Sequence, residues 1–142
     1  QRWSGAVLFV DLDRFKQVND TLGHARGDQV LAETARRLQD SVRDVDSVAR
    51  ISGDEFAIVL ANLTRVEDAA VVAQKVLDAL ARPFQLGDRE AVVSGSIGIA
   101  IFPENGQDAD TLLTLADSAM YQAKESGRNA YCFFNIDMGR QS

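Results

Sequence analysis

Three acids flanked by apolar runs are where this chain could do chemistry: Asp11 follows residues 6–10, and Asp54 and Glu55 lie between residues 47–51 and 56–60. Carboxylates are hard oxygen donors. Several of them at neighbouring strand ends suit a hard cation such as Mg²⁺ and, with it, phosphate chemistry. The runs on either side of Ser52-Gly53-Asp54-Glu55 are β-branched and apolar with a short Gly-containing link, the pattern of a β-hairpin whose tip carries two adjacent acids. Gly53 gives that tip access to positive φ and to close approach by a phosphate. If Val7 and Phe9 face the core, strand alternation sends Asp11 the same way, and its charge then needs a partner or a metal. Asp13 reads differently, as the N-cap of a helix that starts near Arg14.

The elements that must position these acids follow from periodicity. Residues 6–10 read as a buried strand and 15–22 as a short helix that Gly23 ends. Over residues 25–42, Val30, Leu31, Ala35, Leu38 and Val42 recur at helical spacing, and residues 66–80 repeat the pattern before Pro83. Residues 92–93 and 96–102 read as one long strand closed by Pro103 and the turn Glu104-Asn105-Gly106. A last helix spans 108–125 and a last strand 130–134. Helices alternate with strands, but a hairpin interrupts the series, which favours an α+β sheet with helices on its faces.

The 142 residues suffice for one domain, and 46% hydrophobic with 25% charged residues is the composition of a soluble globular protein. A net charge of −6 argues against a general nucleic-acid binder, although a metal and a few placed cations can still hold a nucleotide. Cys132 is the sole cysteine, so an internal disulfide and a cysteine metal site are both excluded, which fits a reducing, cytoplasmic compartment. No apolar run is long enough to span a bilayer, so no direct membrane contact by this segment is expected. His24 is the only histidine; it makes a poor transition-metal site and reads as structural, and no serine triad is supported. There is no Walker-type loop.

Ser52-Gly53-Asp54-Glu55-Phe56 closely resembles the signature loop of GGDEF domains, the diguanylate cyclases, with Ser in place of the first Gly. Two further blocks match that family in order. One is Asp11-Leu12-Asp13-Arg14-Phe15-Lys16-Gln17-Val18-Asn19-Asp20 with Gly23-His24 and Gly27-Asp28. The other is Ala116-Asp117, Ala119-Met120-Tyr121, Ala123-Lys124 and Gly127-Arg128-Asn129. The resemblance implies an α+β fold: a central, mainly antiparallel five-stranded sheet flanked by helices, with the ferredoxin-like core of the polymerase palm and the nucleotidyl cyclases. It implies that Asp11, the Leu12 carbonyl and Asp54 hold Mg²⁺ or Mn²⁺, and that Glu55 completes the metal site or helps deprotonate a ribose hydroxyl. Asn19 and Asp28 would read guanine, the backbone at Phe15 and Lys16 would hold the terminal phosphates, Ser52 and Gly53 would lie near the α-phosphate, and Lys124 and Arg128 would contact phosphate. Arg43 and Asp46 match the family's Arg-x-x-Asp inhibitory site for cyclic di-GMP, although a bland surface ion pair is the alternative.

The implied activity is condensation of two GTP molecules into cyclic di-GMP and two pyrophosphates at a homodimer interface, with product inhibition. The competing expectation is a weak or inactive module that binds GTP or cyclic di-GMP and regulates a larger signalling protein. Ser52 supports it, as does the absence of the family segment that usually precedes the first strand. Residues 1–142 are expected to form a single GGDEF domain of a longer, multidomain protein. Phe133-Phe134-Asn135 and Met138 resemble the junction to a downstream EAL-type phosphodiesterase domain, and a cytoplasmic location is expected even if the parent carries a membrane anchor.

Overall fold

The computed structural model describes residues 4–135, and Met138 of the expected junction lies outside them. Its first strand runs past the apolar segment read from the sequence: β1 covers Gly5–Asp13, so Asp11 and Asp13 sit within the ladder. Pairing on both edges carries it that far. β1 lies antiparallel to β3 (Glu55–Leu60) on one side and to β6 (Ser94–Phe102) on the other, with Asp11 opposite Glu55 and Ser96 and with Asp13 opposite Ser94. β2 (Ser47–Ser52) flanks β3, and β7 (Ala130–Phe133) runs parallel to β6, giving the five-stranded order β2-β3-β1-β6-β7. The mainly antiparallel sheet expected from the sequence is therefore the one observed.

Alternation along β1 sorts the two layers. Ala6, Leu8, Val10 and Leu12 belong to the larger core, shared with Val30, Leu31 and Leu38 of α2 (His24–Asp40) and with Ala73, Val76 and Leu80 of α3 (Glu67–Ala81). Val7 and Phe9 face the other way, into a smaller core with Leu112, Ala116 and Met120 of α4 (Ala109–Glu125). Asp11 and Asp13 share that second face by the period of two. α4 lies directly on β6: a Cβ at Gly98 would come within 1.9 Å of the Ala116 carbonyl oxygen and 2.2 Å of the Met120 nitrogen. Only a bare backbone allows this approach, and it lowers the end of α4 onto the acidic end of β1.

α1 (Phe15–Leu22) starts as read, but Asp13 does not cap it. Arg14 occupies the cap position in the left-handed region at φ 57°, with no side-chain cap bond, because Asp13 is still a strand residue whose side chain faces α4. The single strand expected across 92–102 is also corrected. Val92 is exposed and β6 begins at Ser94, because the preceding residues fold into a small hairpin, β4 (Phe84–Leu86) with β5 (Arg89–Ala91), around Gly87 at φ 71°. The Gly87-Asp88 pair is a tight-hairpin signal.

Arg37 reinforces the helix stop that Pro83 announces. Its buried guanidinium donates to the carbonyls of Ala79, Arg82 and Pro83 at 2.7–2.8 Å and stacks 3.8 Å from the Phe84 ring centroid. Carbonyls at and just beyond the end of α3 are thereby satisfied from another helix.

Candidate active site

The β2–β3 hairpin brings its acids to β1 through the backbone. Leu12 N–H donates to the Asp54 carbonyl at 3.2 Å, which extends the ladder to the tip, and Arg50 Nε donates to the Gly53 carbonyl at 2.9 Å. Gly53 has φ 42°, and nothing lies within 4 Å of a would-be Cβ, so the tip is open there. The Ser52 hydroxyl donates to Glu55 Oε1 at 2.8 Å.

Asp11 lies among these groups with only 14% of its side chain exposed. Burial, and then the charge of Asp54, push its pKa from 3.8 up to about 7, against the pull of Lys124. Lys124 Nζ stands 3.4 Å from Asp11 Oδ2, while Asp11 Oδ1 is buried without a hydrogen-bond partner. α4 contributes one acid as well: burial and the charge of Glu55 push the Asp117 carboxyl upward.

Asp13 is the residue that the sequence reading placed wrongly. It is 2% exposed and accepts from Ser94 Oγ at 2.5 Å, Ser96 Oγ at 2.7 Å, Asn129 N–H at 3.1 Å and Lys124 Nζ at 3.3 Å. Burial alone would raise its pKa, but the hydrogen bonds from Ser94, Ser96 and Asn129, with the charge of Lys124, hold it below the usual carboxylate value. Extending the Val7, Phe9, Asp11 alternation by two residues is the signal that would have found it.

These donors fit a divalent cation. A buried, partnerless carboxylate oxygen on Asp11, with Asp54 beside it, is an electron-rich pair short of positive charge. Among the described residues no three His, Cys, Asp or Glu side chains gather into a ready-made metal cage.

The remaining candidates have the following surroundings. Asn19 lies over Gly27, the residue before Asp28, where a Cβ would meet its Oδ1 at 1.9 Å. Asp28 lines a groove of about 460 Å³ between Leu31 and Ala35 of α2 and Val48, Arg50 and Phe56 of the hairpin. Phe15 is core, 8% exposed, while Lys16 projects into solvent 3.9 Å from Asp20. Arg128 is exposed in the turn that leaves α4, at φ 67°.

Arg43 and Asp46 lie in the turn between α2 and β2 and are more than a surface pair. The Asp46 side chain is 1% exposed and accepts from Arg43 N–H, the Arg43 guanidinium and Ala61 N–H at 3.0–3.1 Å. Burial would push the carboxyl up, but Arg43 and the Ala61 amide hold it below its ordinary value. The carboxylate closes the turn onto the end of β3, and the half-exposed guanidinium borders a groove of about 240 Å³ with Asn62, Thr64 and Asp68.

Together these features define an α+β domain with carboxylates and cations gathered at one end of a mainly antiparallel sheet. Residues 1–130 match the family described as diguanylate cyclase, GGDEF domain, and the chain belongs to that family. It is 47% identical over 133 residues to the bifunctional diguanylate cyclase/cyclic di-GMP phosphodiesterase MucR of Pseudomonas aeruginosa, spanning 94% of this chain and 19% of MucR. It is 46% identical over 126 residues to the diguanylate cyclase TpbB of the same species, spanning 88% of this chain and 29% of TpbB. The crystal structure of the TpbB GGDEF domain superposes with a TM-score of 0.92 at 43% identity, covering 95% of this chain and 84% of that one. An EAL/GGDEF domain protein from M. capsulatus superposes at 0.89 with 49% identity, covering 93% and 85%. The chain thus spans less than a third of the length of these two curated relatives.

Proposed function

We propose that this domain is a diguanylate cyclase that condenses two GTP molecules into cyclic di-GMP and two pyrophosphates. The observation that carries the reading is the meeting of Asp11, Asp54 and Lys124 on one face, with a buried, partnerless Asp11 oxygen. Asp11, the Leu12 carbonyl and Asp54 are the residues that would hold Mg²⁺ or Mn²⁺, which when bound neutralises phosphate charge and acidifies a hydroxyl. Asn19 and Asp28 bind the guanine edge through an amide and a carboxylate. The open tip at Ser52 and Gly53 admits the α-phosphate, and the backbone at Phe15 and Lys16, with Lys124 and Arg128, holds the outer phosphates.

Each 3′-hydroxyl oxygen forms a bond to the α-phosphorus of the other nucleotide while the α–β anhydride bond breaks and pyrophosphate leaves. Glu55 or Asp54 takes the hydroxyl proton. One nucleotide is held by each copy, so catalysis needs two copies face to face, and orientation supplies much of the rate. Cyclic di-GMP binding at Arg43 and Asp46 would inhibit, with the guanidinium as the accessible half of that pair. Such a domain works in the cytoplasm, where GTP is found.

One observation favours a second reading, a nucleotide-binding regulatory module. The Ser52 hydroxyl occupies a Glu55 oxygen at 2.8 Å, which weakens that carboxylate as a base. The deciding experiment incubates concentrated protein with GTP and Mg²⁺ and separates products by mass-resolved chromatography, with Asp54→Ala alongside. Cyclic di-GMP from the parent alone establishes the cyclase. GTP binding without product establishes the module.

A further inference from the structure

Asp13 takes no part in the steps above, yet it is the acid of this face most fully surrounded by donors. Two of them, Ser94 and Ser96, come from β6, and two come from the end of α4 and the turn after it, Lys124 and Asn129. That turn is strained: Gly127, Arg128 and Asn129 follow one another at φ 120°, 67° and 50°. Left-handed conformations are unfavourable for a residue such as Arg and persist only where the surroundings hold them. The Asn129 N–H donated to Asp13 is such a hold, made across 116 residues of sequence. Lys124 is divided between two acids, 3.3 Å from Asp13 and 3.4 Å from Asp11. Without Asp13 the ammonium would close on Asp11 alone and compete there with any cation.

We propose that Asp13 is a positioning residue: its buried carboxylate anchors both Lys124 and the left-handed turn that carries Arg128, so that the two cations face the phosphates of a nucleotide bound at Asp11 and Asp54. This rests on the nucleotide reading of the site. A carboxylate serving packing alone would gain little from four donors, since buried polar groups of this kind contribute little over apolar replacements of the same volume.

The test compares wild-type protein with Asp13→Asn in Mg²⁺ buffer, titrating inorganic tripolyphosphate and, separately, guanosine by NMR, with hydrogen exchange followed at the Asn129 amide. Asp13→Asn is expected to weaken tripolyphosphate about tenfold, the worth of one charge-assisted hydrogen bond, and to leave guanosine unchanged. Exchange at Asn129 should quicken while β1 and β6 stay protected. Unchanged tripolyphosphate affinity, or equal losses for both ligands, overturns the proposal. If Asp13→Asn does not fold, Asp13→Asn/Lys124→Met is compared with Lys124→Met, a pair that avoids an uncompensated ammonium. Faster Asn129 exchange in the double variant supports the anchor, and equal exchange overturns it. Wild-type protein that binds tripolyphosphate but not guanosine refutes the nucleotide reading and leaves the Asp13 result standing; binding of neither overturns both.

Discussion

Asp11 combines two demands that conflict in the absence of a counter-charge: it is a carboxylate largely removed from water, and it is a neighbour of Asp54. With its pKa raised from 3.8 to about 7, the folded protein holds this proton more tightly than the unfolded chain does. The stabilisation is therefore complete below the unfolded value and is lost as pH rises through about 7. Asp11→Asn should melt above wild type near about pH 8 without divalent cations, and the gap should close toward about pH 4. Mg²⁺ at the higher pH should raise the wild-type melting temperature and leave Asp11→Asn nearly unmoved. An equal response of the two proteins would remove Asp11 from the metal site. Asp13 has the opposite sign: its lowered pKa gives stability that is present above the unfolded carboxylate value and lost on acidification. Ser52 supports a prediction of its own. Ser52→Gly removes the hydroxyl that binds Glu55 and the Cβ beside it, and cyclic di-GMP formation should rise about three- to tenfold, the range of one ordinary hydrogen bond. A fall in the rate would mean that the serine orients Glu55 productively.

Elements are held in place here by a few contacts between distant segments. Arg37 on α2 closes the end of α3 with three carbonyl acceptors and covers Phe84, so α2, α3 and the β4–β5 hairpin share one guanidinium. Arg37→Ala should cost about 3 kcal/mol in a urea titration, because it strands those carbonyls and leaves a cavity against Phe84. Arg37→Lys should recover only part of the loss, since an ammonium cannot serve the same planar fork. A loss below about 1 kcal/mol for Arg37→Ala would show that water replaces the guanidinium at these acceptors.

The acids of the candidate site, Asp11, Asp54 and Glu55, lie at one end of the sheet, so under the proposed function a single copy holds one nucleotide. Under the proposed function, specific activity should rise with protein concentration and level off once association is complete, with light scattering tracking the same midpoint. Activity per subunit that is independent of concentration, in a protein that stays monomeric, would rule out the two-copy scheme. Among the described residues no helix is long and apolar enough to cross a membrane.

Local chemistry determined much of this from the sequence. The hairpin that carries Asp54 and Glu55 was legible because β-branched runs and Gly53 act over a few residues, and the amphipathic helices were legible because the 3.6 period is written into Val30, Leu31 and Leu38. The direction of Asp11 followed from strand alternation alone. The tertiary structure decided the rest, because the deciding partners are far apart in the chain. Asp13 looked like a cap until β6 supplied Ser94 and Ser96 and the end of α4 supplied Lys124 and Asn129. Arg43 and Asp46 were legible as an Arg-x-x-Asp pair by resemblance, but the burial of the carboxylate under the Ala61 amide was not. A buried charge is tolerated only where its donors converge, and that convergence is a property of packing that no local window of sequence contains.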